Sequence, residues 1–108
     1  MNSVLLVITH VPDYASATRI AQHLVQAQLA ACVNVLAECS SIYRWQGTLE
    51  NVREVALHIK TTRAAYPALE AALRELHPYD LPEIIALPIT QGLPDYLNWV
   101  AAETRIYP

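Results

Sequence analysis

Strand-like and helix-like runs follow one another along this chain in an order that leaves few folds open. Val4-Leu5-Leu6-Val7-Ile8-Thr9 is continuous, apolar and β-branched, the pattern of a strand covered on both faces. Pro12-Asp13 then opens a helix that Asp13 or Ser16 can cap. Ala17, Ile20, Ala21, Leu24 and Gln28 fall on or beside one of its faces, and it should end near residues 28–30. Residues 32–36 read as a second strand that continues after a kink through 41–45, and Gln46-Gly47 is a turn signal. A third strand covers 54–60, where Val55, Leu57 and Ile59 alternate with Glu54, Ala56, His58 and Lys60. Thr61-Thr62 can cap a second helix bearing Tyr66, Leu69, Leu73 and Leu76 on one face. Pro67 fits only in its first turn. Residues 83–89 form a fourth strand, in which Pro88 implies an edge position or a bulge. After Gln91-Gly92-Leu93-Pro94 a short helix over 95–104 closes the chain.

The order β-α-β-β-α-β plus a terminal helix is the split βαβ arrangement, an α+β, ferredoxin-like two-layer sandwich in one domain over residues 1–108. Right-handed crossovers place both long helices on one face of an antiparallel sheet and leave the other face bare. Apolar residues are 54% of the 108 and charged residues only 16%. A domain this small cannot bury that share alone, so burial between subunits is expected.

The remaining composition narrows the function. Net charge is −3 with scattered Lys and Arg, which disfavours nucleic acid as a partner. No run approaches the roughly 18 apolar residues of a membrane span, and no basic residue precedes the run at Val4, so a cytoplasmic protein is expected. Only two glycines occur, which excludes a Gly-rich phosphate loop. Cys32 and Cys39 lack CxxC spacing and read as small buried residues.

The densest chemistry lies in His77-Pro78-Tyr79-Asp80-Leu81-Pro82-Glu83, where two prolines stiffen a loop carrying an imidazole, a phenol and two carboxylates. It serves either as a site or as a helix-to-strand connector. Lys60, at the end of the third strand, is expected near this loop. Lys60, Tyr79, Glu83, Trp45 and His77 would together suit a small anionic or zwitterionic ligand. Trp45, at the turn between the second and third strands, reads as an interface anchor. Of the other histidines, His10 follows the first strand, His23 lies on a solvated helix face and His58 on the mixed face of the third strand. A general acid/base pair of His77 and Glu83 is weakly specified, and the chain reads as a binding protein, not an enzyme.

Five motifs in order carry a resemblance: Leu29-Ala30-Ala31-Cys32-Val33-Asn34, Tyr43-Arg44-Trp45-Gln46-Gly47, Lys60-Thr61-Thr62, His77 to Ile85, and Tyr96-Leu97-Asn98-Trp99. From about Val4 to Thr104 the chain resembles the CutA family of divalent-cation tolerance proteins. The resemblance implies a compact homotrimer similar in architecture to PII signalling proteins, with Trp45, Tyr96 and Trp99 at interfaces. It also implies a part in the response to copper and other divalent cations. The copper ligands proposed for the family are a first-strand Cys and a His pair just before Pro-Tyr. Here those positions hold Thr9, Leu76 and His77, so His77 alone carries over, with Glu83 or Asp80 as supporting oxygen ligands. Two expectations follow: weak binding of copper or another divalent cation through His77, or a PII-like trimer sensing a small anionic ligand in intersubunit clefts.

Overall fold

The computed structural model describes residues 3–105. Its elements are β1 (Val4–Val11), α1 (Tyr14–Gln26), β2 (Cys32–Trp45), β3 (Thr48–Thr62), α2 (Tyr66–Leu76), β4 (Ile85–Pro88) and α3 (Pro94–Ala102). The strands form one open antiparallel sheet in the order β2-β3-β1-β4. Each long helix therefore links two strands separated by one intervening strand, as the α+β reading of the sequence predicts. Among the described residues no helix is long and apolar enough to cross a membrane.

Local chemistry sets the boundaries. Asp13 caps α1 by accepting the Ser16 N–H at 2.8 Å. The helix stops at Gln26 because Gln28 turns into the left-handed region at φ 58°, where the Leu29 N–H closes back on the Leu24 carbonyl. Pro67 sits in the first turn of α2. The expected cap of that helix is displaced: Thr61 and Thr62 belong to β3, yet the Thr62 hydroxyl still accepts the Ala65 N–H at 3.2 Å.

β1 and β3 turn alternate residues toward the helices, and Val7, Val11, Val55, Leu57 and Ile59 form one core with Ile20, Leu24, Leu69 and Leu73. Thr9 points the same way. Its hydroxyl is fully buried, and no hydrogen-bond partner for it occurs among the described residues. Thr9→Val removes that orphaned group at nearly constant shape. We expect it to raise the unfolding free energy by about 1 kcal/mol, read as a shift of the urea midpoint at fixed protein concentration.

Two strands depart from the lengths read in the sequence. β3 begins at Thr48, well before the alternating residues 54–60, and pairs with β2 down to Trp45↔Thr48 across one bulge between Val35 and Glu38. β1 covers β3 only from Val55 onward, so the outer half of the β2–β3 hairpin is a two-stranded arm, and the molecule measures 44 × 26 × 23 Å. β4 is shorter than expected. Its ladder with β1 ends at Ile8↔Ile85, and two residues further along β1 the His10 carbonyl accepts a hydrogen bond from His77 instead. Pro88 lies on this edge strand, where its missing N–H is harmless.

Candidate functional site

The loop between α2 and β4 wraps the end of β1, and His77 fastens it. The imidazole is buried. Its Nε2–H donates to the His10 carbonyl at 2.8 Å, and its Nδ1 accepts the Tyr79 N–H at 3.2 Å. A carbonyl can only accept and an amide N–H can only donate, so the partners fix the neutral Nε2–H tautomer. Burial pushes the His77 pKa down, against smaller upward pulls from the His10 carbonyl and from Glu54.

Tyr79 stacks obliquely on His77, ring centres 4.9 Å apart, and its hydroxyl donates to Glu54 Oε2 at 2.8 Å. Burial, followed by the Glu54 contact, pushes the Tyr79 phenol up, so the proton stays on the oxygen. Glu54 itself is only 6% exposed. On the outer side of the loop His10 Nδ1 meets Glu83 Oε1 at 3.0 Å. These two would be cross-strand partners if the β1–β4 ladder continued two residues further. Loop and arm enclose a groove of about 800 Å³, walled by Tyr43, Trp45 and Tyr79 and carrying the carboxylates Glu54, Asp80 and Glu83. Among the described residues no lysine or arginine lines it.

The expected site residues thus divide. Tyr79, Glu83 and Trp45 meet at the groove. Lys60 does not: it pairs with Leu6 and Cys32, its ammonium hydrogen-bonds Asn34, and it lies six residues beyond Glu54, roughly 20 Å along the strand. The anionic ligand expected from Lys60 therefore has no cation at this groove within one chain; the groove's charge has the opposite sign. Both nitrogens of His77 are committed to backbone partners, so the imidazole presents no free lone pair outward to a metal ion. The other two copper positions fare no better, since Thr9 is in the core and Leu76 packs against it. Among the described residues no group of three or more His, Cys, Asp or Glu is placed to hold a metal ion. The donor set does not fit a preformed copper centre.

Tyr96 and Trp99 stand together on α3, ring centres 5.7 Å apart and each still substantially exposed. Burial, then the neighbouring Cys32 thiol, pushes the Tyr96 phenol up, which places α3 beside the sheet face that bears Cys32 and Lys60. Glu54 is the functional candidate that sequence reasoning passed over. Its place beside Tyr79 follows from the β1–β3 register, in which His10 faces Ala56, and that pairing is not written in either strand alone.

Comparison with known proteins gives a consistent answer. Residues 5–103 match the family model for CutA1 divalent ion tolerance protein. The chain is 46% identical over 99 residues to the "Divalent-cation tolerance protein CutA" of Thermus thermophilus, covering 92% of this chain and 96% of that protein. It is 45% identical over 94 residues to mouse "Protein CutA", covering 87% of this chain and 53% of the longer mouse protein. The crystal structure of CutA from Xylella fastidiosa superposes with a TM-score of 0.93 at 45% identity, over 95% of this chain and 99% of that one.

Proposed function

This chain belongs to the CutA1 divalent ion tolerance family, and from that we infer that it acts in divalent-cation tolerance as a homotrimeric binding protein with no catalytic step. The protomer is one ferredoxin-like domain, arranged with its copies in the PII-like manner. Divalent cations are met weakly, at the imidazole–carboxylate pair of His10 and Glu83 with Asp80 nearby, and not at a resident copper centre. The observation that carries the metal reading is that pair: His10 and Glu83 meet at 3.0 Å on the surface, while His77 has spent both nitrogens inside the loop.

Assembly is supported by what a single chain leaves uncovered. Every residue of β4 is exposed, and Ile42, Leu49, Ile85, Leu87 and Trp99 present large apolar surface to water. Cys32 and Cys39 are free thiols, which suits a reducing, cytoplasmic setting.

Titration of Cu²⁺ into the purified protein at neutral pH is expected to give weak binding. Glu83→Gln or His10→Ala should reduce it by about tenfold or more, and by more than His77→Gln does. Tight stoichiometric binding that disappears in His77→Gln would restore His77 as the ligand and overturn this reading.

A further inference from the structure

We propose that the groove between the β2–β3 arm and the His77–Glu83 loop binds a linear aliphatic polyamine. The groove's volume of about 800 Å³ is in the range of small-molecule sites. Its walls are aromatic, from Tyr43, Trp45 and Tyr79, and its charged groups are carboxylates. Aromatic faces attract alkylammonium groups through the ring quadrupole, and carboxylates hydrogen-bond them with charge assistance.

Glu54 gives the argument its direction. More than nine-tenths of its surface is buried, yet its carboxylate accepts from the neutral Tyr79 hydroxyl. The nearest guanidinium in sequence, Arg53, is engaged with Glu38 at 2.8 Å. Among the described residues no lysine or arginine lines the groove, so a cation arriving there would give the buried carboxylate its counter-charge. The nearby imidazole of His77 cannot do so in its neutral tautomer.

The distribution of the acids selects the kind of cation. Glu54, Asp80 and Glu83 do not converge as a metal ion would require, since no such cluster occurs among the described residues. They are spread around one apolar-walled groove. That arrangement fits a molecule whose charges are spaced along a methylene chain: ammonium groups at the carboxylates, methylenes against the rings. The proposal goes beyond the cation-tolerance reading and does not depend on it, because it turns on Glu54 and Trp45 and not on His10.

The test is calorimetric titration of the intact protein with spermidine at physiological salt. One saturable site per protomer is expected, with a change in tryptophan fluorescence as Trp45 is covered. Glu54→Gln keeps an oxygen for Tyr79 and should weaken binding by about tenfold, the loss of one charge-assisted contact. Trp45→Leu should weaken it as well, and Glu75→Gln, an acid on α2 outside the groove, should not. Asp80→Asn, at an exposed loop position where folding is not at risk, should also weaken it. Absence of saturable binding, or equal weakening by Glu75→Gln and Glu54→Gln, overturns the proposal, the latter by marking general attraction to an acidic protein. Copper titration of Glu54→Gln should match the unsubstituted protein, which keeps failure here separate from failure of the metal reading.

Discussion

His77→Ala is expected to lower the unfolding free energy by about 3 kcal/mol or more. The substitution empties a buried ring site and strands two backbone groups. The His10 carbonyl loses its donor and the Tyr79 N–H its acceptor, both at the point where the loop is fastened to β1. For a domain of this size the thermal midpoint should fall by roughly 12 °C or more, compared at equal protomer concentration. Two milder variants separate the hydrogen bonds from the cavity. His77→Asn can still accept from the Tyr79 N–H, and His77→Gln can still donate to the His10 carbonyl, so each should cost less than alanine. Equal losses in all three variants would mean that ring packing alone matters.

The same imidazole makes stability pH-dependent, with a definite sign. Its folded pKa lies below the unfolded value of about 6.5 because burial disfavours the charged ring. The unfolded state therefore binds the proton first as pH falls. His77's contribution is fully present above the unfolded pKa and is lost as pH drops from there through the lowered folded value. Protonation also places an N–H at Nδ1, facing the Tyr79 N–H. Urea midpoints measured from pH 7.5 down to pH 5 should decline in the unsubstituted protein and decline less steeply in His77→Gln. Parallel profiles would assign the acid sensitivity to other groups.

The parts of this molecule that were legible in the sequence are those with a one-sided environment. β1 announces itself by a continuous apolar run, and β3 and both long helices because one face is apolar and the other is not. Val55, Leu57 and Ile59 alternate cleanly for that reason. The outer half of β3 does not, since residues 48–53 are largely open on both faces and leave no periodic contrast to read, whereas 41–45 were legible as the continuation of β2. The loop at His77–Glu83 was legible as important, but its chemistry was inverted. A single sequence cannot distinguish an imidazole that reaches outward for a ligand from one that turns inward. That difference lies in a carbonyl 67 residues away. Lys60 and Glu54 make the same point. Both belong to the wetter face of β3, and only the register with β1 decides which of them stands beside Tyr79.

On the homotrimer reading proposed above, Ile42→Asp combined with Leu49→Asp is expected to give single protomers while leaving the folded body intact. In the hairpin register Ile42 pairs with Asn51, and Leu49 with Arg44, so Ile42 and Leu49 are diagonal neighbours on one face of the arm. They are 67% and 69% exposed in one chain, while Tyr43 and Trp45 occupy the other face. A two-stranded ribbon with no layer behind it is marginal by itself, and the homotrimer reading puts a partner over the Ile42 and Leu49 face, leaving Tyr43 and Trp45 to the groove. Each such side chain buried at an interface contributes about 1.5–3 kcal/mol, and replacing it with a carboxylate adds a desolvation cost. Two sites in each of three protomers bring the total to the order of 10 kcal/mol, enough to dissociate most assemblies at micromolar concentration. The helical core lies at the other end of the sheet, so the helical circular dichroism should persist. Light scattering should report a mass near 12.0 kDa for the variant and three times that for the unsubstituted protein. An unsubstituted protein already at one protomer would remove the trimer. A variant that stays trimeric would place the interface on β4 and α3, with the arm outside it.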